Sequence, residues 1–146
     1  MTRKVFLDAS VIIAGSASRS GASRAVLNLA EIGLIQAVIS EQVLTEVERN
    51  IQEKLPQALP YLTELLGYIA WEIQDDPTFE EFGRWISIIE AKDAPILEAA
   101  LQAGSDYLLT LNTKDFSPDV AHHSGLIIHT PGEFIRQIRE ILRQNL

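Results

Sequence analysis

The sequence predicts an α/β fold, with parallel strands in one sheet and helices on both faces. Three observations carry this. Short apolar, β-prone runs at residues 3–8, 34–39, 107–111 and 126–129 alternate with longer stretches of helical apolar spacing. The first run, Val5-Phe6-Leu7, resumes at Val11 and is near-continuous, as in a central strand covered on both faces. Local punctuation agrees. Gly33 and Gly104 stop helices, and Thr130-Pro131-Gly132-Glu133 starts one, with Thr as cap, Pro in first position and Glu three after the cap.

In order, strand one covers 3–8, and a first helix or helical turn begins over Ser10–Gly15. Ser16–Gly21 is a loop by composition. Val26, Leu27, Leu29, Ala30 and Ile32 predict a helix over 22–32, followed by a strand over 34–39. Ser40 opens a helix to about Lys54, ended by Pro56 and Pro60, and a further helix covers 59–69. Residues 70–74 read as a short strand or an extended linker, so the sheet has four or five strands. Asp75-Asp76-Pro77 is a turn, and Phe79, Phe82, Trp85, Ile86 and Ile89 fit one face of a helix. Lys92-Asp93-Ala94-Pro95 starts a helix over 94–103. A strand over 107–111, loops over 112–116 and 119–125, a last strand over 126–129 and a final helix complete the chain.

A length of 146 residues suits one domain over 1–146 with one sizeable core. No apolar run is long enough to span a bilayer, and the first one carries Asp8, which makes a poor signal peptide. There is no cysteine, which excludes disulfides and thiolate metal sites and is compatible with a cytoplasmic protein. A formal charge of −8 argues against gripping nucleic acid with the whole surface. It leaves open a local basic rim around an acidic centre.

Acidic residues gather on one edge of this frame. Asp8 ends strand one, Glu46 lies in the second turn of the helix after strand two, and Asp93 opens the helix that feeds the strand at 107. Asn112 and Asp115 lie in the loop leaving that strand. Strand carboxyl ends and helix amino ends meet on the same edge of a parallel sheet, which is where such sheets bind ligands. Asp8 taken alone reads first as a helix cap, with Ser10 as an alternative cap. Asp93 shares a face with Ile96, Leu97 and Ala100, so it points inward at the tip of the core stripe; capping and function stand equal there. Glu46 lies off the stripe Leu44, Val47, Ile51 and Leu55 and reads by periodicity as solvated surface, as does Glu48. Converging carboxylates repel one another and raise each other's pKa values. A hard divalent cation relieves this, and Mg²⁺ or Mn²⁺ prefers oxygen ligands. Such a site suits hydrolysis of a phosphodiester.

The residues Phe6-Leu7-Asp8-Ala9-Ser10-Val11-Ile12, Leu44-Thr45-Glu46-Val47, Lys92-Asp93-Ala94-Pro95-Ile96-Leu97 and Tyr107-Leu108-Leu109-Thr110-Leu111-Asn112 resemble a PIN domain across essentially the whole chain. The resemblance implies a three-layer α/β/α fold with a central parallel sheet. It implies a metal-dependent ribonuclease, often the VapC-like toxin of a toxin–antitoxin pair, with an RNA substrate, an antitoxin partner and a homodimer. Asp8, Glu46 and Asp93 match the family's first three acids. Ser10 matches a small polar residue supporting the first acid, and Thr110 a hydroxyl near the fourth. Where many PIN domains carry that fourth acid, this chain has Asn112, with Asp115 three residues on. Asn112 or Asp115 would complete the metal shell.

Arg19, Arg24, Lys92 and Lys114 flank these positions and are the candidate cationic rim for RNA phosphates. His122, His123 and His129 lack a diagnostic zinc spacing, and Arg136, Arg139 and Arg143 share a solvated helix face. Trp71, Trp85, Phe79 and Phe82 read as core. No phosphate-binding glycine motif is present. Two readings stand beside the nuclease. One is a PIN fold without activity that binds RNA or protein. The other is a phosphatase with Asp8 as nucleophile, disfavoured because Ser10 stands where a second Asp is needed.

Overall fold

The computed structural model describes residues 2–145. β1 (Arg3–Leu7) lies at the centre of a five-stranded parallel sheet with β2 (Ile35–Ser40), β3 (Glu72–Gln74), β4 (Tyr107–Leu109) and β5 (Ile127–His129). The strand order is β3-β2-β1-β4-β5. Val5 lies opposite Ala37 on one side and Tyr107 on the other. Val5, Phe6 and Leu7 are fully buried, as a strand covered on both faces must be.

Helices α1 (Ala9–Ala17), α2 (Ala22–Glu31), α3 (Glu41–Lys54) and α4 (Leu59–Tyr68) serve the crossovers from β1 to β3. Right-handed connections place them on one face, where α8 (Pro131–Gln144) packs on α2. Helices α5 (Phe79–Phe82), α6 (Ala94–Gln102) and α7 (Pro118–Ser124) cover the other face. The result is a three-layer α/β/α fold. Gly15 permits the close approach of α1 to α2, because a Cβ there would collide with Leu27.

The connections place the site. β2 and β3 extend the sheet to one side of β1, β4 and β5 to the other. The chain therefore switches direction between β1 and β4, and a crevice opens outside their carboxyl ends.

Several expectations change. Of the two readings of residues 70–74 the strand holds, an edge strand with Val38 opposite Glu72. The helix expected over 79–89 lasts only to Phe82, and Gly83–Trp85 form a 3₁₀ turn. The cause is Glu98, whose Oε1 accepts from both Arg84 and Trp85. Adjacent residues of an α-helix do not face one acceptor. The loop expected over 119–125 is helix α7. Ser117 accepts from Val120 N at its start, Pro118 is in first position, and Gly125 ends it at φ 74°. β4 stops at Leu109, because Thr110 and Leu111 turn to bond Asp8 and Ser10.

Candidate active site

β1 delivers Asp8 to the crevice as the first residue beyond the strand. It is 7% exposed and caps α1 by accepting from Ala9 N at 2.9 Å. Its other oxygen accepts from Thr110 Oγ1 at 2.7 Å and from Ser10 Oγ at 3.1 Å. Both hydroxyls in turn accept from the loop after β4, Thr110 from Asn112 N at 2.9 Å and Ser10 from Leu111 N at 3.1 Å. Capping and site-building are thus one arrangement. Asp8 is held in a fixed pose, and the same bonds tie the two strands at the switch point together. With both oxygens hydrogen-bonded, Asp8 is poorly suited to act as a nucleophile.

Asp93 is different. It stands at the cap position of α6, is also 7% exposed, and makes no capping hydrogen bond. Its Oδ2 is buried with no hydrogen-bond partner. Burial is the main force raising its pKa, pushed up to about 7; the carboxylate of Asp115 and the charge of Asp8 add to it, and Lys92 opposes. Asp115 lies within hydrogen-bonding reach of Asp93. Two carboxylates this close need a proton or a cation between them.

Burial of Asp93 and the hydrogen bonding of Asp115 by Asn112 together decide which of the two gives way. Its amide donates to Asp115 Oδ2 at 3.0 Å, and its carbonyl oxygen accepts from Asp115 N at 3.3 Å. The amide bond, then the Asp93 side chain, Lys92 and Lys114 hold the Asp115 carboxyl below its ordinary range. Asp93 therefore carries the shared proton near neutrality. Asn112 thus fixes Asp115 in the crevice beside Asp93.

The sequence matches the family model for the PIN domain over residues 4–114. The chain belongs to the PIN domain family. Solved structures with the same fold include VapBC2 from Rickettsia felis bound to a DNA fragment from their promoter. It is 21% identical with a TM-score of 0.64, over 87% of this chain and 98% of that one. DNA-bound VapBC from Salmonella typhimurium is 21% identical with a TM-score of 0.60, over 90% of this chain and 99% of that one. VapBC-1 from nontypeable Haemophilus influenzae is 17% identical with a TM-score of 0.60, over 88% and 98%. No curated protein matches the sequence. The family match and these neighbours agree on the PIN fold.

The remaining positions fill out this PIN domain. Glu46 is half-buried, whereas Glu48 is exposed. The expectation of a solvated Glu46 fails because the buried stripe is Val43, Val47 and Ile51, which turns residue 46 toward the body. Gln42 was not singled out by the sequence, yet it connects Glu46 to the site. Its Nε2 donates to Glu46 Oε1 and to Lys92 O, both at 3.1 Å. Its place one turn before Glu46 was the available signal. Among the described residues, no three His, Asp or Glu side chains stand close enough to form a metal cage. Mg²⁺ needs less, being held by one or two carboxylates with waters and substrate phosphates. The orphaned Asp93 oxygen, on a side chain within reach of Asp115, fits such an ion.

The four cations divide. Lys92 and Lys114 are exposed and act electrostatically on the acid pair. Arg19 and Arg24 stand at the far end of α1, about 13 Å along the helix from Asp8. There Arg24 donates to Gly15 O at 3.0 Å. Of the histidines, His129 packs on Tyr107 at 5.8 Å, while His122 and His123 sit on α7. Among the described residues no helix is long and apolar enough to cross a membrane.

Proposed function

We propose that this protein is a metal-dependent endoribonuclease that hydrolyses RNA phosphodiesters. It would act in the cytoplasm as the toxin of a toxin–antitoxin pair, as a homodimer restrained by an antitoxin protein. The observation that carries the reading is the buried, donorless oxygen of Asp93 set against Asp115 at the switch point of the sheet. The VapBC neighbours support the antitoxin. In this reading Asp93 and Asp115 hold Mg²⁺ or Mn²⁺ with Asp8, and Glu46 reaches the shell from α3. When bound, the ion would polarise a phosphate oxygen and lower the pKa of a bound water. Thr110 and Ser10 orient Asp8, Asn112 orients Asp115, and Lys92 and Lys114 offset the phosphate charge as RNA approaches.

A second reading has its own support. Asn112 replaces an acid, and no ready-made cage of three acids is present among the described residues. The fold would then bind RNA or protein without cutting. Incubating the protein with mixed cellular RNA in Mn²⁺, Mg²⁺ or EDTA, beside Asp93→Asn, separates the two. Cleavage that needs both the metal and Asp93 supports the nuclease. RNA binding with no cleavage in any metal supports the binding module.

A further inference from the structure

A groove of about 400 Å³ opens directly beside the acid pair. One wall is the turn Ile86–Ala91; the other is the loop after β4, contributing Lys114, Asp115 and Ser117. Its volume suits a small ligand such as one nucleotide. Asp115 stands in both places, in the groove and against Asp93. A strand whose phosphate lies on the acid pair therefore has a neighbouring nucleotide at the groove.

The groove's groups have a distinct character. Glu90 is exposed, and its carboxylate takes no protein hydrogen bond or ion pair among the described residues. Its backbone is firmly placed, because Glu90 O accepts from both Asp93 N at 2.9 Å and Ala94 N at 3.0 Å. The residue that carries the free carboxylate is thereby locked to the first turn of α6. Ser87 is exposed on the same wall, and Lys114 faces it as a cation.

A carboxylate accepts hydrogen bonds only. On the Watson–Crick edge of an unpaired base, guanine offers two adjacent donors, N1–H and N2–H, which match the two carboxylate oxygens. Cytosine and adenine each offer one amino group beside an acceptor, and uracil one donor between two acceptors. Sequence in RNA is read mainly on such unpaired edges. We propose that this groove binds a guanine nucleotide next to the scissile phosphodiester, with Glu90 reading the base and Lys114 its phosphate. The inference rests on the ribonuclease reading and adds a base preference to it.

Single-stranded RNAs differing only at the nucleotide flanking the cut test this, with inosine included because it lacks the guanine amino group. Cleavage in Mn²⁺ is read for the unaltered protein and for Glu90→Ala. Binding of the same RNAs to metal-free Asp93→Asn protein, with and without Glu90→Ala, is read separately. The expected result is a guanine preference of about tenfold that inosine loses and Glu90→Ala flattens, in cleavage and in binding alike. Equal use of all four bases overturns the inference, as does a guanine preference that survives Glu90→Ala. Guanine-selective binding without cleavage retains the guanine site and defeats the nuclease reading instead.

Discussion

Helix α6 carries two buried carboxylates, and they live in opposite conditions. Glu98, in the middle of the helix, is 5% exposed and fully engaged. Its Oε1 accepts from Arg84 Nη2 and Trp85 Nε1, both at 2.8 Å, and its Oε2 accepts from Gln102 at 3.1 Å. Arg84 also stacks on Trp85, 4.5 Å from the ring centroid. Asp93, at the tip, has Asp115 where Glu98 has a guanidinium, and one oxygen that no donor reaches. A buried charge is tolerable when it is paired and hydrogen-bonded. Glu98 meets that condition within the chain and staples the 3₁₀ turn to α6. Asp93 meets it only with a proton or a cation.

Substituting each acid should bring out the contrast. The largest effect expected is on cleavage. Asp93→Asn should lower metal-dependent cleavage by about 100-fold or more while the circular dichroism spectrum is unchanged. Cleavage undiminished in this variant would remove Asp93 from the site. Glu98→Ala should instead act on stability, lowering it by about 2–3 kcal/mol in urea unfolding. The loss stays moderate because Arg84 is 61% exposed on its side chain and can return to water. If Glu98→Ala cost nothing and Asp93→Asn unfolded the protein, the assignment of roles would be reversed.

The pH dependence sharpens the same comparison. Asp93 has a folded pKa raised from 3.8 to about 7, so between those values the folded chain holds more protons than the unfolded one. Its contribution to stability is therefore greatest near pH 4, declines as pH rises, and levels off above pH 7. The decline should amount to about 1–2 kcal/mol, less than the roughly 4 kcal/mol of the full shift, because water reaches the Asp115 side of the pair and screens it. It should vanish from the difference between pH 5 and pH 8 stabilities in Asp93→Asn. Smallest is Thr110→Val, which removes the 2.7 Å bond to Asp8 and should cost about 1 kcal/mol in the same unfolding experiment.

Much of this was legible in the residues, for physical reasons that vary by site. The apolar run ending in Asp8 marks a central strand, because burial on both faces leaves no alternation. The inward face of Asp93 followed from helical period alone. Glu46 did not, since leaving Val43 out of the stripe rotated the helix in the wrong sense. The 79–89 region misled for another reason. Its apolar spacing suits a helix, but the acceptor that breaks it, Glu98, lies 14 residues from Arg84. Only the folded chain brings them together. Helix α7 carried a readable signal in Ser117, Pro118 and Gly125, although its short length left little apolar period to support it.

The sequence left open whether Asn112 or Asp115 reaches the site; the hydrogen bonds that join the two could not be read from spacing. Asn112→Ala should free Asp115 and weaken cleavage by about tenfold, less than Asp115→Asn, which should cost 10–100-fold.

The most direct test is a Mn²⁺ titration followed by electron paramagnetic resonance at pH 6 and pH 8, on the unaltered protein and on Asp93→Asn. Saturable binding that tightens from pH 6 to pH 8 and is lost in Asp93→Asn is the predicted result, because metal and proton compete for the same buried oxygen. Equal binding by both proteins, or binding indifferent to pH, would contradict the account of Asp93 as the ligand-seeking acid.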